Sequence, residues 1–447
     1  AQVQSYNELQ PRLAGTYTVN ADTVLRASIG KYAEPPNAAF EQYNALQNNL
    51  PGVLGKFVPF GFNTPGHRIV PATSINADFS YEHRFHNTDW SMKLSPFIRK
   101  TKDQIQQFFL DQKSGFVSGL NVGRQTSEGV EFQLNKGDFS RNGLSGQFGF
   151  TYTHSFVDYD KLANGNTVFS GINNDITAFN ALTGAGGGAK CYTGGGTADP
   201  ACAAGSFANP YYNSPLQSQV GTTGVPTYDL LPGPVGASAV TYGAPYFATF
   251  ILNYKHDKFT ITPTVQFQGG SRYASPESNY GIDPTAGCSA LAGTNSANDP
   301  RYATFGGVSG VPGYDATTCA NVIPVPNFYT GKFDQLGAFV QPSQLLANLQ
   351  MSYQVSPKLT LVGTFANVVN TCFGGTKAAW TRNDHNVCSY GIVGAGSIPP
   401  VGNVFNPGST IQPFVQYPYL SNLGAVNVDG ASTKTPFNFF LEARIKI

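Results

Sequence analysis

Charge is what this sequence has least of. Asp, Glu, Lys and Arg make up 12% of its 447 residues, about half the share usual in a soluble globular protein. The two signs nearly cancel, with Lys+Arg 27 against Asp+Glu 26. That balance removes the electrostatic basis for nucleic-acid binding. Methionine and tryptophan occur only twice each. No run of about 18 apolar residues exists, which excludes a transmembrane helix. The mean hydropathy of −0.18 is also too low for a helical membrane protein. No CxxC motif or Cys/His cluster offers a zinc site. His83 and His86 are three apart, on opposite faces of a strand, which makes a poor metal pair. The glycine tract at 184–188 lacks the strand, the GK[ST] and the helix of a phosphate loop. No basic and then apolar leader opens the chain at Ala1. Either a leader has been removed, or the chain starts inside a longer protein. No enzyme chemistry and no cofactor are expected.

What is present is glycine (50 residues), aromatics (13%) and a period of two. In residues 75–82, Ile75, Ala77, Phe79 and Tyr81 alternate with Asn76, Asp78, Ser80 and Glu82. The same alternation runs through 144–153, 344–353 and 437–447. Strict alternation is the mark of a strand with two unlike faces. The strands that hold these runs reach the ~9–11 residues that a strand needs to cross a bilayer at a tilt. Eleven strands are expected, at 10–19, 22–33, 72–86, 89–104, 126–137, 142–157, 244–256, 258–270, 343–355, 358–369 and 435–447. Short turns near 20–22, 86–88, 138–142, 255–257 and 356–357 alternate with long loops near 34–71, 105–125, 158–243, 271–341 and 371–434. Short turns on one side and long loops on the other mark an outer-membrane β-barrel. Trp90, beside a short turn, suits an aromatic girdle. The fold class expected is all-β, an antiparallel transmembrane barrel. Eleven strands are an odd number and half of the 22 found in plugged transporters.

The six cysteines fall into three neighbouring pairs, each within one loop, which predicts Cys191–Cys202, Cys288–Cys319 and Cys372–Cys388 disulfides and an oxidising compartment. Among loop residues, Tyr211, Tyr212 and Trp380 are the candidates for touching a solute, with packing among the loops themselves as the rival role. Asn173, Asn174, Asp175 and Asp283 are loop oxygen donors, without the spacing of a calcium hand. Residues 38–50 read as a short loop helix with Phe40, Tyr43, Leu46 and Leu50 on one face. The polar face of the strands carries Arg12, Arg26, Asp78, Glu82, Arg84, Lys93, Glu131, Glu442, Arg444 and Lys446. Charges of both signs there are expected to face a lumen that holds a plug or water.

Several stretches, taken in order, resemble TonB-dependent receptors, in the subgroup with a carboxypeptidase-regulatory-like N-terminal domain. They are residues 9–13 (LQPRL), 22–32 (DTVLRASIGKY), 34–37 (EPPN), 40–44 (FEQYN), 104–109 (QIQQFF), 119–124 (GLNVGR), 128–132 (EGVEF), 370–375 (NTCFGG) and Trp380-Thr381. The resemblance implies residence in the bacterial outer membrane, contact with lipid, and uptake of a scarce solute such as a siderophore, carbohydrate or peptide. It implies a partner in the TonB complex, reached through a plug. The plug and the first half of the barrel have no counterpart in this sequence, so 1–447 resembles the C-terminal half of the barrel. A passive porin-like or structural surface barrel, completed by a second chain or fragment, is the alternative. A soluble eleven-stranded can is a third reading. The final Ile447 is apolar where such barrels usually end in an aromatic residue.

Overall fold

The computed structural model describes residues 6–36, 69–111, 116–161, 165, 167, 169–203, 206–229, 241–273, 276, 280–287, 322–326, 331–375, 419–420 and 436–445. Eleven long strands run in chain order through one antiparallel sheet. They are β1 (Arg12–Asn20), β2 (Thr23–Glu34), β3 (Ala72–Arg84), β4 (Trp90–Asp111), β5 (Phe116–Lys136) and β6 (Gly143–Tyr159). Then come β7 (Tyr246–His256), β8 (Phe259–Gln268), β9 (Ser343–Ser356), β10 (Leu359–Phe373) and β11 (Asn438–Ile445). Each strand pairs with its neighbour in sequence, as in an up-and-down barrel wall. All eleven expected strands are present. β1 and β11 end the path, and every residue of both is exposed.

The register explains the alternation. Because paired residues share a face, one row can be followed from strand to strand. Tyr17, Leu25, Tyr81, Leu94, Phe132, Phe150, Ala248, Phe267 and Leu345 are successive partners from β1 to β9. Nine strands thus contribute nine apolar or aromatic side chains to one line. The adjacent row on the opposite face runs Glu82, Lys93, Gln133, Gly149, Thr249 and Gln266. A sheet whose middle band is apolar on one face and polar on the other fits a bilayer on one side and water on the other.

The apolar band has visible limits. Along β5 its face reads Glu128, Val130, Phe132, Leu134 and Lys136. Glu128 lies 3.6 Å from His154 at one rim. At the other, the Lys136 ammonium lies 5.2 Å from the Trp90 ring centroid and pairs with Asp89 at 2.8 Å. Trp90 therefore sits at the boundary, as a girdle residue should. From 128 to 136 the strand rises ~26 Å, and a tilt brings this close to the apolar height of such barrels.

The short turns are tight and tied to one another. Asn87 and Asp257 adopt φ of 56° and 49°, the left-handed region that Asn and Asp tolerate best. The Asn142 amide donates to Asp257 Oδ1 at 3.0 Å, and the Asp257 N–H donates to Asn142 Oδ1 at 2.9 Å.

Two expectations about the loops need correction. The segment 105–125 is not a loop. β4 and β5 continue through it as a long hairpin, beyond the last β3 partner at Lys102 and the last β6 partner at Gly123. The Asn121 side chain fastens the base of this hairpin. It donates to Val70 O at 2.9 Å and to Asp103 O at 2.7 Å, and accepts from Val70 N–H at 2.8 Å. Asn121→Ala removes all three bonds and should lower the stability of the hairpin base by about 1–3 kcal/mol. Faster amide exchange at Val70 and Val122, with the central wall unchanged, would show it.

The loop after β6 is not structureless either. It holds a helix, α1 (Ser170–Leu182), and a folded core, described below. The helix expected at 38–50 lies outside the described residues, as do Trp380, Lys446 and Ile447.

Candidate functional site

Two features stand out: a compact loop body at the long-loop end of the wall, and a recess lower in the polar face, at mid-wall. The body forms because α1 is amphipathic. Ile172, Ile176, Phe179 and Leu182 recur at helical spacing, and all four are buried. Their neighbours come from far along the chain. Phe179 meets Tyr211 edge-on at 5.3 Å and Phe333 edge-on at 5.5 Å. Two helix amides, seven residues apart, act as clamps. Asn173 Oδ1 accepts from Val220 N–H at 2.8 Å, and Asn180 Oδ1 accepts from Gln217 N–H at 2.7 Å. Gln217 in turn bonds Gly331 O and the Phe333 N–H, which joins the β6–β7 and β8–β9 connections into one unit. The periodicity of α1 is readable in the sequence, but a polar, glycine-rich setting hides it.

The Cys191–Cys202 disulfide is present. Within its loop Asp199 accepts from the Ser206 hydroxyl at 2.6 Å and from the Ala203 and Ala201 N–H groups. These donors hold the Asp199 carboxyl below the usual carboxylate range. Cys372, near the end of β10, is also disulfide-bonded. Cys288, Cys319 and Cys388 lie outside the described residues.

Of the two described solute candidates, Tyr211 takes the packing role. It is fully buried in the body, and burial together with the Asp283 charge pushes its phenol well above the normal range. Tyr212 is 36% exposed and is the member of the pair open to a solute. Asn173 is committed to Val220, and Asp283 accepts from the amide and hydroxyl of Thr285. Among the described residues no cluster of three or more metal-ligating side chains occurs.

Asp175 is half-buried on α1, and desolvation pushes its carboxyl up to about 6. Between pH 4 and 6 the folded body then holds a proton that the unfolded chain releases. Its stability is fully present below about pH 4, falls as pH rises to about 6, and is level above. Asp175→Asn should flatten this slope and stabilise the body at neutral pH by ~1–2 kcal/mol after solvent screening. Hydrogen exchange of α1 amides, corrected for intrinsic rates at each pH, measures it.

The body leans over the polar face. On β6 the odd residues belong to that face, since Gln147 and Thr151 partner Asn135 and Glu131. Val157 and Tyr159, on the same face, are buried, and Tyr159 meets Phe169 edge-on at 4.6 Å. Below them a ladder of short polar side chains follows the wall. Ser127 and Ser155 hydroxyls are 2.7 Å apart, Gln125 donates to Ser155 at 3.0 Å, and Ser155 lies 2.8 Å from the Thr227 hydroxyl.

The charges expected on the polar face all lie on it, where described. Arg26 pairs with Glu82 at 3.1 Å, and Lys93 approaches the same carboxylate at 3.8 Å. Asp78 accepts from the Ser28 hydroxyl. Arg12 stacks over the Tyr32 ring at 4.4 Å, Arg84 partners Ser91, and Glu131 partners Ser95 and Thr151. Glu442 and Arg444 pair at 2.9 Å on β11. Arg99, bonded to Ser74 at 3.3 Å, belongs with them; counting by twos from Lys93 reaches it. His83 is instead on the apolar face, 2.9 Å from Thr23, while His86 pairs with Asp22 in a turn.

Within the polar face a recess of about 350 Å³ spans β4 to β7. Lys93 and Ser95 contribute from β4, Glu131 and Gln133 from β5, and Gln147 and Thr151 from β6. Phe247 and Thr249 close the side on β7, and Gly149 forms the floor.

A wall of this kind, apolar outside and charged within, under a folded loop body, defines a barrel of the outer-membrane receptor class. The family model described as "TonB dependent receptor-like, beta-barrel" matches residues 1–370, and the chain belongs to that family. Its members are transporters rather than enzymes and lie in the bacterial outer membrane. No curated protein matches the chain. Among solved structures, the siderophore receptor PirA from Pseudomonas aeruginosa is 10% identical, with a TM-score of 0.35, over 80% of this chain and 36% of that one. The outer membrane transporter YddB from Escherichia coli is 11% identical, with a TM-score of 0.37, over 81% and 37%. The FrpB iron transporter from Neisseria meningitidis is 11% identical, with a TM-score of 0.38, over 86% and 38%. The chain thus spans a little over a third of the length of these proteins, and likeness at this level carries no information about ligand.

Proposed function

We propose that this chain is the C-terminal part of the barrel of a TonB-dependent transporter, with about eleven strands of 22. The plug and the first half of the barrel belong to the intact protein and lie outside this sequence. The finer assignment, to the subgroup with a carboxypeptidase-regulatory-like domain, rests on the ordered motifs. In this reading the polar face lines the lumen, and the loop body helps capture a scarce solute from outside. The TonB complex, acting through the plug, drives its release inward. The observation that supports this most is the wall's two-faced register: on one face the strand charges, such as Lys31, Lys100, Arg124, Glu128, Asp158 and Lys136, stand only toward the two rims of the wall, which leaves an apolar band between them.

The test is the denatured mass and N-terminal sequence of the native protein extracted from outer membranes. A mass about twice 47.7 kDa, with sequence upstream of Ala1 containing a plug, carries the reading. A mass of this chain alone would overturn active transport and favour a passive barrel.

A further inference from the structure

We propose that the recess floored by Gly149 is a subsite for a neutral saccharide. The proposal rests on the transport reading above and names its substrate class. Three observations carry it. The first is shape. A Cβ built on Gly149 would meet nothing within 4 Å, so the depth of the recess exists because this position has no side chain. Its volume of about 350 Å³ is at the small end of ligand sites, the size of a short glycan.

The second is charge. The recess holds one ammonium, Lys93, and one carboxylate, Glu131. Lys93 already faces Glu82, which also pairs with Arg26. No surplus of positive charge remains for an anionic chelate, and none of negative charge for a cation.

The third is chemistry. Ligand sites for apolar molecules are lined mainly by apolar side chains with few polar groups. Here Gln133, Gln147 and Thr151 line one side, and an apolar ligand would leave their donors and acceptors unmet. A carboxamide or carboxylate can engage two adjacent hydroxyls at once. Opposite stands the Phe247 ring, 48% exposed on a polar face, a surface for the C–H side of a sugar ring. The Ser127, Ser155 and Thr227 hydroxyls extend the same polar lining from the recess to the loop body.

The experiment uses the full-length receptor in detergent. It is incubated with a mixture of neutral di- to tetrasaccharides of glucose, mannose, galactose and xylose, and a ferric hydroxamate is added in parallel. Retained molecules are read by mass spectrometry. The expected result is retention of at least one glycan, reduced tenfold or more by Gly149→Leu, which fills open space. The pair Gln133→Ala and Gln147→Ala should reduce it similarly and serves if Gly149→Leu fails to show heat-modifiable migration. No retained glycan, or equal retention by the variants, would overturn the proposal. Retention of the ferric hydroxamate instead, lost in Gly149→Leu, would overturn the saccharide class. Uptake that proves independent of the proton-motive force would sink the transport reading and leave the glycan result standing.

Discussion

Arginine in place of Phe132 should lower the stability of the membrane-embedded wall by about 2–4 kcal/mol, the cost of a cation facing lipid at mid-depth of a barrel. The position is chosen by register. On the apolar face of β5, Phe132 is midway between the rim residues Glu128 and Lys136, and its partners are Leu94 and Phe150. Near either rim an arginine can reach the headgroups, so the same change at Val130 or Leu134 should cost less. Urea unfolding in lipid vesicles gives the values. The depth profile is the discriminating result. A soluble sheet would meet Phe132→Arg as an ordinary surface change, within ~0.5 kcal/mol. Gln133→Arg, one residue away on the polar face, should be nearly neutral in either case.

This contrast between neighbours shows why the wall was so legible. Period two in a sheet is set by backbone geometry alone, so each strand declares both its existence and its faces. The strand expected at 72–86 runs Ala72–Arg84, and Ile75 to Tyr81 alternate in it without a break. Legibility failed where local pattern and long-range contact part company. The hairpin beyond residue 104 reads as a loop because Gly119, Asn121 and Gly123 interrupt its pattern. Yet Gly123 is needed there: it adopts φ of 144°, and a Cβ would sit 2.1 Å from Asp158 O. The recess was invisible for a similar reason. Lys93, Glu131, Gln147 and Phe247 come from four strands spread over some 150 residues of chain, and the register alone makes them neighbours. The sequence does show Gly149 in a run of large residues, but not that its partners Gln133 and Thr249 leave the space above it open.

The loop body yields the other large effect. Phe179→Ala should destabilise it by about 3–5 kcal/mol, the usual cost of emptying a buried aromatic site. Phe179 is wholly buried, and its ring joins α1 to both Tyr211 and Phe333. Removing it therefore opens the seam between two connections as well as the core beneath α1. Cys191→Ser should act more mildly, by ~2–4 kcal/mol, since it frees a loop spanning 11 residues of sequence without emptying the core. The wall should survive both. Its strands are held by their own ladder, and the described contacts linking body to wall gather on the end of β6: Tyr159 with Phe169 and Thr222, Asp158 with Gly224, Val157 with Val225 and Ser155 with Thr227. Limited proteolysis in detergent separates the outcomes. Cleavage between 165 and 228 in Phe179→Ala, with the barrel still heat-modifiable, means the body melts alone. Loss of both together would mean that body and wall unfold as one cooperative unit, and that the inner face depends on the body above it. In the first case glycan retention by the recess should persist in Phe179→Ala, because the recess draws on β4 to β7 alone. Only the proposed capture at Tyr212 and the body's surface should slow.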